Sequence, residues 1–140
     1  MIVLDTSVTS ELMKPLPASA VTQWVRGRSA SELYTTSITL AEIGYGIQRL
    51  PDGRRKDLLQ AASEEVFSAF AEHVLAFDVT AATQYGEIVS SRDGAGAPIL
   101  GFDAQIACIC RAHEAALATR NVDDFKDTGI VVIDPWQERS

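Results

Sequence analysis

The strongest constraint on this chain is a run of three apolar residues, Ile2-Val3-Leu4, that stops abruptly at Asp5. Such a run is too short for a helix, and being apolar throughout it reads as a strand buried on both faces. A strand of that kind needs helices above and below it. Helical spacing begins at once, with Val8 and Leu12 marking a helix from about Ser7 to Met13 that Pro15 and Pro17 interrupt.

The alternation continues to the end of the chain. Val21, Trp24 and Val25 predict a second helix ending near Gly27, and residues 32–37 (ELYTTS) a second strand. Leu40, Ile43, Ile47 and Leu50 share one face of a third helix, which Pro51-Asp52-Gly53 terminates. Leu58, Leu59, Ala62, Val66 and Phe70 predict a fourth helix, and residues 73–78 (HVLAFD) a third strand. Ala81, Tyr85, Ile88 and Val89 carry the next helix, residues 92–101 a loop, and Ile106, Ile109 and His113 a helix behind it. Residues 115–119 and 130–134 are the last strands expected. Strands alternating with helices indicate an α/β domain around a mainly parallel sheet. No repeat, low-complexity tract or linker divides the chain, so one domain is expected over residues 1–136, with 137–140 as a short tail.

Composition narrows the function classes. The 140 residues suffice for a real core, with a hydrophobic share of 46%. No stretch approaches the ~20 apolar residues of a membrane span, and the N-terminus lacks a basic region, so no signal peptide is expected. Cys108 and Cys110 fall about 200° apart on a predicted helix and cannot pair. Two unpaired thiols suit a reducing, cytoplasmic setting. A net charge of −7 argues against a protein that coats nucleic acid, yet leaves room for a nuclease whose acids surround a metal.

In open parallel sheets, sites form outside the carboxyl ends of the strands, and Asp5 stands at such an end. Each acid also has a purely structural reading. Asp5 is able to cap the following helix, although Thr6 and Ser7 are equally suited. Residues 39–42 (TLAE) fit a capping box, with Thr39 at the N-cap and Glu42 reaching back. Asp103 lies in a first helical turn, where a negative charge complements the macrodipole. Asp123 and Asp124 suit a turn. As a set they say more. Clustered carboxylates resist ionisation unless cations lie between them. An all-oxygen set without a His or Cys cluster selects Mg²⁺ or Mn²⁺ over Zn²⁺. Metal-assisted phosphodiester hydrolysis is the natural chemistry.

Five segments in order, IVLDTSVTSEL, ITLAEIGYGIQRL, GFDAQIACICRAH, LATRNVDDF and VVIDPW, resemble the PIN-domain ribonucleases. The similarity is greatest to the VapC-type toxins of bacterial toxin–antitoxin pairs, FitB-like members included, and it spans residues 1–136. It implies a three-layer α/β/α domain, a Mg²⁺ (or Mn²⁺) site, and cleavage of single-stranded RNA. It also implies a homodimer silenced by a cognate antitoxin. Carried over by position, the acidic site is Asp5, Glu42 and Asp103, with Asn121 or Asp124 as fourth member and Thr6 and Thr119 as neighbouring hydroxyls. The family usually has Asn where this chain has Ser7. A hydroxyl is able to hydrogen-bond Asp5 but is not expected to donate and accept together as an amide does. Several relatives have an acid where this chain has Asn121.

Other features are assigned ordinary roles. The glycine-rich residues 94–101 lack dinucleotide-loop spacing. Gly44 and Gly46, costly inside a helix, suggest close packing against another helix, across a dimer if not within the chain. Arg54, Arg55 and Lys56 read first as a solvated helix face and second as a contact for RNA or antitoxin, His73 and His113 as partly buried histidines, and Phe125 and Trp136 as core or interface aromatics. Two other functions compete. A phosphatase with Asp5 as nucleophile needs a second Asp where Ser7 stands. A degenerate PIN-like protein that binds RNA or a partner need not keep mutually repelling acids.

Overall fold

A computed structural model describes residues 1–137 and places Ile2–Leu4 (β1) at the centre of a five-stranded sheet. Leu33–Thr36 (β2) and Val74–Leu75 (β3) extend it on one side, and Ala116–Ala118 (β4) and Val132–Ile133 (β5) on the other. All neighbours are parallel, in the order β3-β2-β1-β4-β5. The chain therefore builds outward from β1 in one direction, then returns to its other side. That reversal is a topological switch point, where α/β sheets open a crevice at their carboxyl edge. Asp5 sits directly on it.

The short strands are apolar throughout because both faces are covered. Val3 joins a core with Ile88, Ile106, Ile109, Leu117 and Phe125, while Ile2 and Leu4 face the opposite one with Val8, Val21 and Trp24. Burying one such side chain contributes about 1.5–3 kcal/mol. The first core is roofed by Val79–Ala82 (α5), Tyr85–Gly94 (α6) and Gly101–Ala112 (α7), the second by Thr6–Leu12 (α1) and Ser19–Arg26 (α2). Ser37–Gln48 (α3) and Arg54–Phe70 (α4) complete the helices, α3 packing on α1, α4 and α7. Three layers result, as the resemblance implies. Buried Glu11 closes the proline turn between α1 and α2, its carboxylate accepting from Lys14 Nζ and the Ala18 N–H at 2.9 Å each.

Several boundaries differ from the sequence reading. The segment around Ala81 and Ile88 is two helices, α5 and α6, and α6 runs on to Gly94, taking the first residues of the expected 92–101 loop. The strand expected over residues 73–78 pairs only at Val74 and Leu75. His113 lies just past α7 and is exposed, not partly buried. His73 is partly buried, its Nδ1 at 2.9 Å from Leu33 O and its ring stacked on Tyr34. Cys108 and Cys110 are both buried and unpaired. Phe125 is a core residue. Residues 138–140 of the expected tail lie outside the described residues. Among the described residues no helix is long and apolar enough to cross a membrane.

Gly44 and Gly46 are not packed against another helix of this chain, since a Cβ added at either meets nothing within 4 Å. Alanine at these helical positions should stabilise a lone protomer by about 0.5–1 kcal/mol each. Sedimentation and thermal melts of Gly44→Ala and Gly46→Ala check this. A loss of self-association in place of a gain in stability would show that a second copy fills the space.

Candidate acidic site

Register builds the site. Leu4 pairs with Ala118, so the residues that follow them, Asp5 and Thr119, emerge side by side. The Asp5 N–H donates to Ala118 O at 2.9 Å, fixing the backbone, and the Thr119 hydroxyl donates to Asp5 Oδ2 at 2.7 Å. Asp5 is only 4% exposed. It precedes α1 at its N-cap position, yet its side chain makes no capping bond.

Ser7 shows how a hydroxyl serves at a position where the resemblance leads one to expect an amide. Its Oγ donates to Asp5 Oδ2 at 3.2 Å and accepts from the Arg120 N–H at 3.2 Å. The expectation that it cannot do both is overturned, because one oxygen carries a proton to give and lone pairs to receive.

The capping-box reading of Glu42 also fails. β2 runs to Thr36, whose hydroxyl accepts from the Thr39 N–H at 3.0 Å, so α3 starts three residues earlier than that box requires. Glu42 then lies more than a turn inside the helix. Its Oε1 accepts from the Thr6 hydroxyl at 2.8 Å, and Thr6 lies 3.0 Å from the Thr39 hydroxyl. Two buried threonines thus support Thr6, which holds Glu42 toward Asp5.

Asp103 enters from the first turn of α7. Burial, then the charges of Asp5, Asp124 and Glu42, push its carboxyl up to about 6, against the pull of Arg92. Glu42 is raised too, by burial and by Asp5, against the Thr6 hydrogen bond. These shifts mark one negatively charged locus shared by four acids. Asp124 reaches it from a 3₁₀ turn, Val122–Phe125, closed by its N–H to Asn121 O at 3.0 Å. Asp123 points elsewhere and pairs with Lys126 at 2.9 Å. Asn121 is exposed at the head of the turn, its N–H bonded to the Thr119 hydroxyl at 3.0 Å. A polar cleft of about 340 Å³ lies alongside, lined by residues 120–124 and Asp134. Over Trp136, which is partly buried, the Arg120 guanidinium stands 5.0 Å from the ring centroid.

Among the described residues no three His, Cys, Asp or Glu side chains are already closed around a metal-sized space. Mg²⁺ does not require that, because it keeps several waters and binds through one or two carboxylates. The donor chemistry fits. It is all oxygen, with carboxyls that a cation would relieve of mutual repulsion.

The sequence reading missed Arg92. The signal was present, since Arg92 lies four residues after buried Ile88 and shares its face.

The PIN domain family matches residues 2–131. This chain belongs to the PIN-domain family. The PIN domain here is 38% identical to the VapC ribonuclease Y4jK of Sinorhizobium fredii over 98% of this chain and 99% of that protein. It is 32% identical to the toxin FitB of Neisseria gonorrhoeae over 99% and 100%. A solved structure of FitAB bound to an IR36 DNA fragment superposes with a TM-score of 0.91 at 32% identity, covering 100% of this chain and 99% of that one. A phosphatase built on Asp5 is set aside, since the PIN domain has Ser7 where that chemistry needs a second Asp.

Proposed function

We propose that this PIN domain is the toxin of a toxin–antitoxin pair and acts as a divalent-metal-dependent endoribonuclease. The observation that carries the reading is the convergence of Asp5, Glu42, Asp103 and Asp124 on one edge of the sheet, in a chain related over its length to a VapC ribonuclease. Asp5 and Asp103, with Glu42, would hold Mg²⁺ or Mn²⁺. When bound, the ion supplies positive charge that lowers the pKa of water and steadies the leaving oxygen of a phosphodiester. The chain's own residues prepare the place. Thr119 and Ser7 both donate to one oxygen of Asp5, Oδ2, while Thr6 orients Glu42.

The fourth acid is Asp124. Asp124→Ala should weaken Mn²⁺ binding and cleavage most, Asn121→Ala less, and Asp123→Ala least, because Asp123 is engaged with Lys126. Mn²⁺ titrations of the three variants give the order, and greatest damage at Asp123 contradicts it.

Single-stranded RNA is the substrate, and a basic segment of a small antitoxin is the natural plug. An arginine fork suits a pocket of carboxylates whose charge a metal does not fully meet. The free protein is a homodimer acting in the cytoplasm. The test incubates the purified chain with single-stranded and structured RNA in Mg²⁺, alongside expression in bacteria with and without the neighbouring small gene. Cleavage of the single strand, growth arrest, and relief by that gene are expected. Binding of RNA without cleavage would instead show a degenerate PIN domain.

A further inference from the structure

Arg92 is 5% exposed on α6 and is absent from the ion pairs among the described residues. Its charge attracts the Asp103 carboxyl without touching it. Burying a guanidinium with no bonded carboxylate is costly, so its hydrogen bonds do most to account for its presence. All of them go to backbone carbonyls. Nε donates to Ala97 O in the segment leading to α7, and Nη1 donates to Asp124 O and Lys126 O at 2.8 Å each. The Thr128 hydroxyl takes the intervening carbonyl, donating to Phe125 O at 2.6 Å. The turn bearing Asp124 is thus held by three consecutive carbonyls from behind, while the Asp124 side chain stays free in front.

We propose that Arg92 is a positioning residue for the acidic site, clamping the Asp124 turn to the segment that enters α7 and so setting Asp124 against Asp103. This rests on the reading of Asp124 as the fourth acid. The planar fork matters, since it serves carbonyls on two segments at once. A lysine ammonium keeps the charge but presents its donors from a single point.

The test uses the full-length protein and three variants: Arg92→Lys, Asp124→Ala and the double variant, with Arg92→Ala as a more severe companion. Mn²⁺ affinity is measured by calorimetry, and amide hydrogen exchange is followed without metal. Arg92→Lys should weaken Mn²⁺ binding about tenfold or more, the usual effect of losing a residue that orients a ligand. Residues 122–126 should exchange faster while β1 is unchanged. The double variant should bind no more weakly than Asp124→Ala alone. Additive losses would mean Arg92 acts on general stability, and wild-type affinity in Arg92→Lys would mean the clamp is idle. Either result overturns the proposal while Asp124 keeps its place. Wild-type affinity in Asp124→Ala removes the fourth acid itself, and the positioning role with it. If Arg92→Ala does not fold, Arg92→Lys and the exchange data decide.

Discussion

Asp5→Asn is expected to remove metal-dependent RNA cleavage, by roughly a thousandfold or more if the ion supplies several kcal/mol at the transition state. The fold should survive. Asn is nearly isosteric, and its carbonyl oxygen still accepts from Thr119 and Ser7, which donate to the same carboxylate oxygen in the parent. What is lost is a negative charge at the switch point of the sheet. Circular dichroism and a thermal melt establish folding, and a cleavage time course with Mg²⁺ reads activity. A well-folded variant that cuts at the parent rate would remove Asp5 from the mechanism.

Asp103→Asn should have two opposite effects, lower activity and higher stability. The Asp103 carboxyl titrates near 6 in the folded protein against an ordinary value of 3.8, for which burial and then its acidic neighbours are responsible. Between those two pH values the folded state holds a proton that the unfolded chain has released. Stability therefore falls as pH rises from about 4 to 6, and the loss persists above it. An Asn at this position never incurs that loss. One pKa unit corresponds to about 1.4 kcal/mol. Discounted for solvent screening at this partly exposed site, the gain is about 1 kcal/mol, or roughly 2–4 °C in Tm. Melts in chelator at pH 7.5 should show it, and melts near pH 4 should not. Metal affinity moves the other way with pH, falling below about pH 6 as the cation competes with a proton for Asp103. A variant no more stable than its parent at pH 7.5 would mean that Asp103 bears no such electrostatic load.

How much of this was legible in the sequence depended on what each signal had to compete with. Ile2-Val3-Leu4 is the plainest signal, because a short run apolar throughout fits a strand covered on both faces. Asp5 after it suited a helix cap as well as a site until the structure showed no capping bond. Together with the alternation of strands and helices along the chain, that strand gives the parallel sheet and the edge where a site is expected. Thr36 and Thr39 were harder. Both are good N-caps three residues apart, and local chemistry does not choose between them. Pairing of Thr36 with Leu75 extends the strand and decides in favour of Thr36, which frees Glu42 for the site. The last turn of α6 was hidden by its glycines. Asp93-Gly94 followed by Gly96 looks like a loop, and the helix persists to Gly94 while Arg92, on its buried face, bonds to carbonyls more than thirty residues away. Ser7 was misread for a different reason. Its donor role was foreseen, but the acceptor role depends on the Arg120 N–H, which only the pairing of β1 with β4 brings within reach.

The central claim is that this edge of carboxylates is a divalent-cation site, and Mn²⁺ titration by calorimetry at pH 6 tests it most directly. Run in two buffers of different ionisation enthalpy, it reads both binding and the protons displaced. The parent protein should bind saturably and release protons, since burial and acidic neighbours hold the Asp103 and Glu42 carboxyls above the usual carboxylate range. Asp103→Asn should release fewer protons than the parent, and Asp5→Asn should scarcely bind. Absence of saturable binding in the parent, or binding that Asp5→Asn leaves unchanged, would contradict the account.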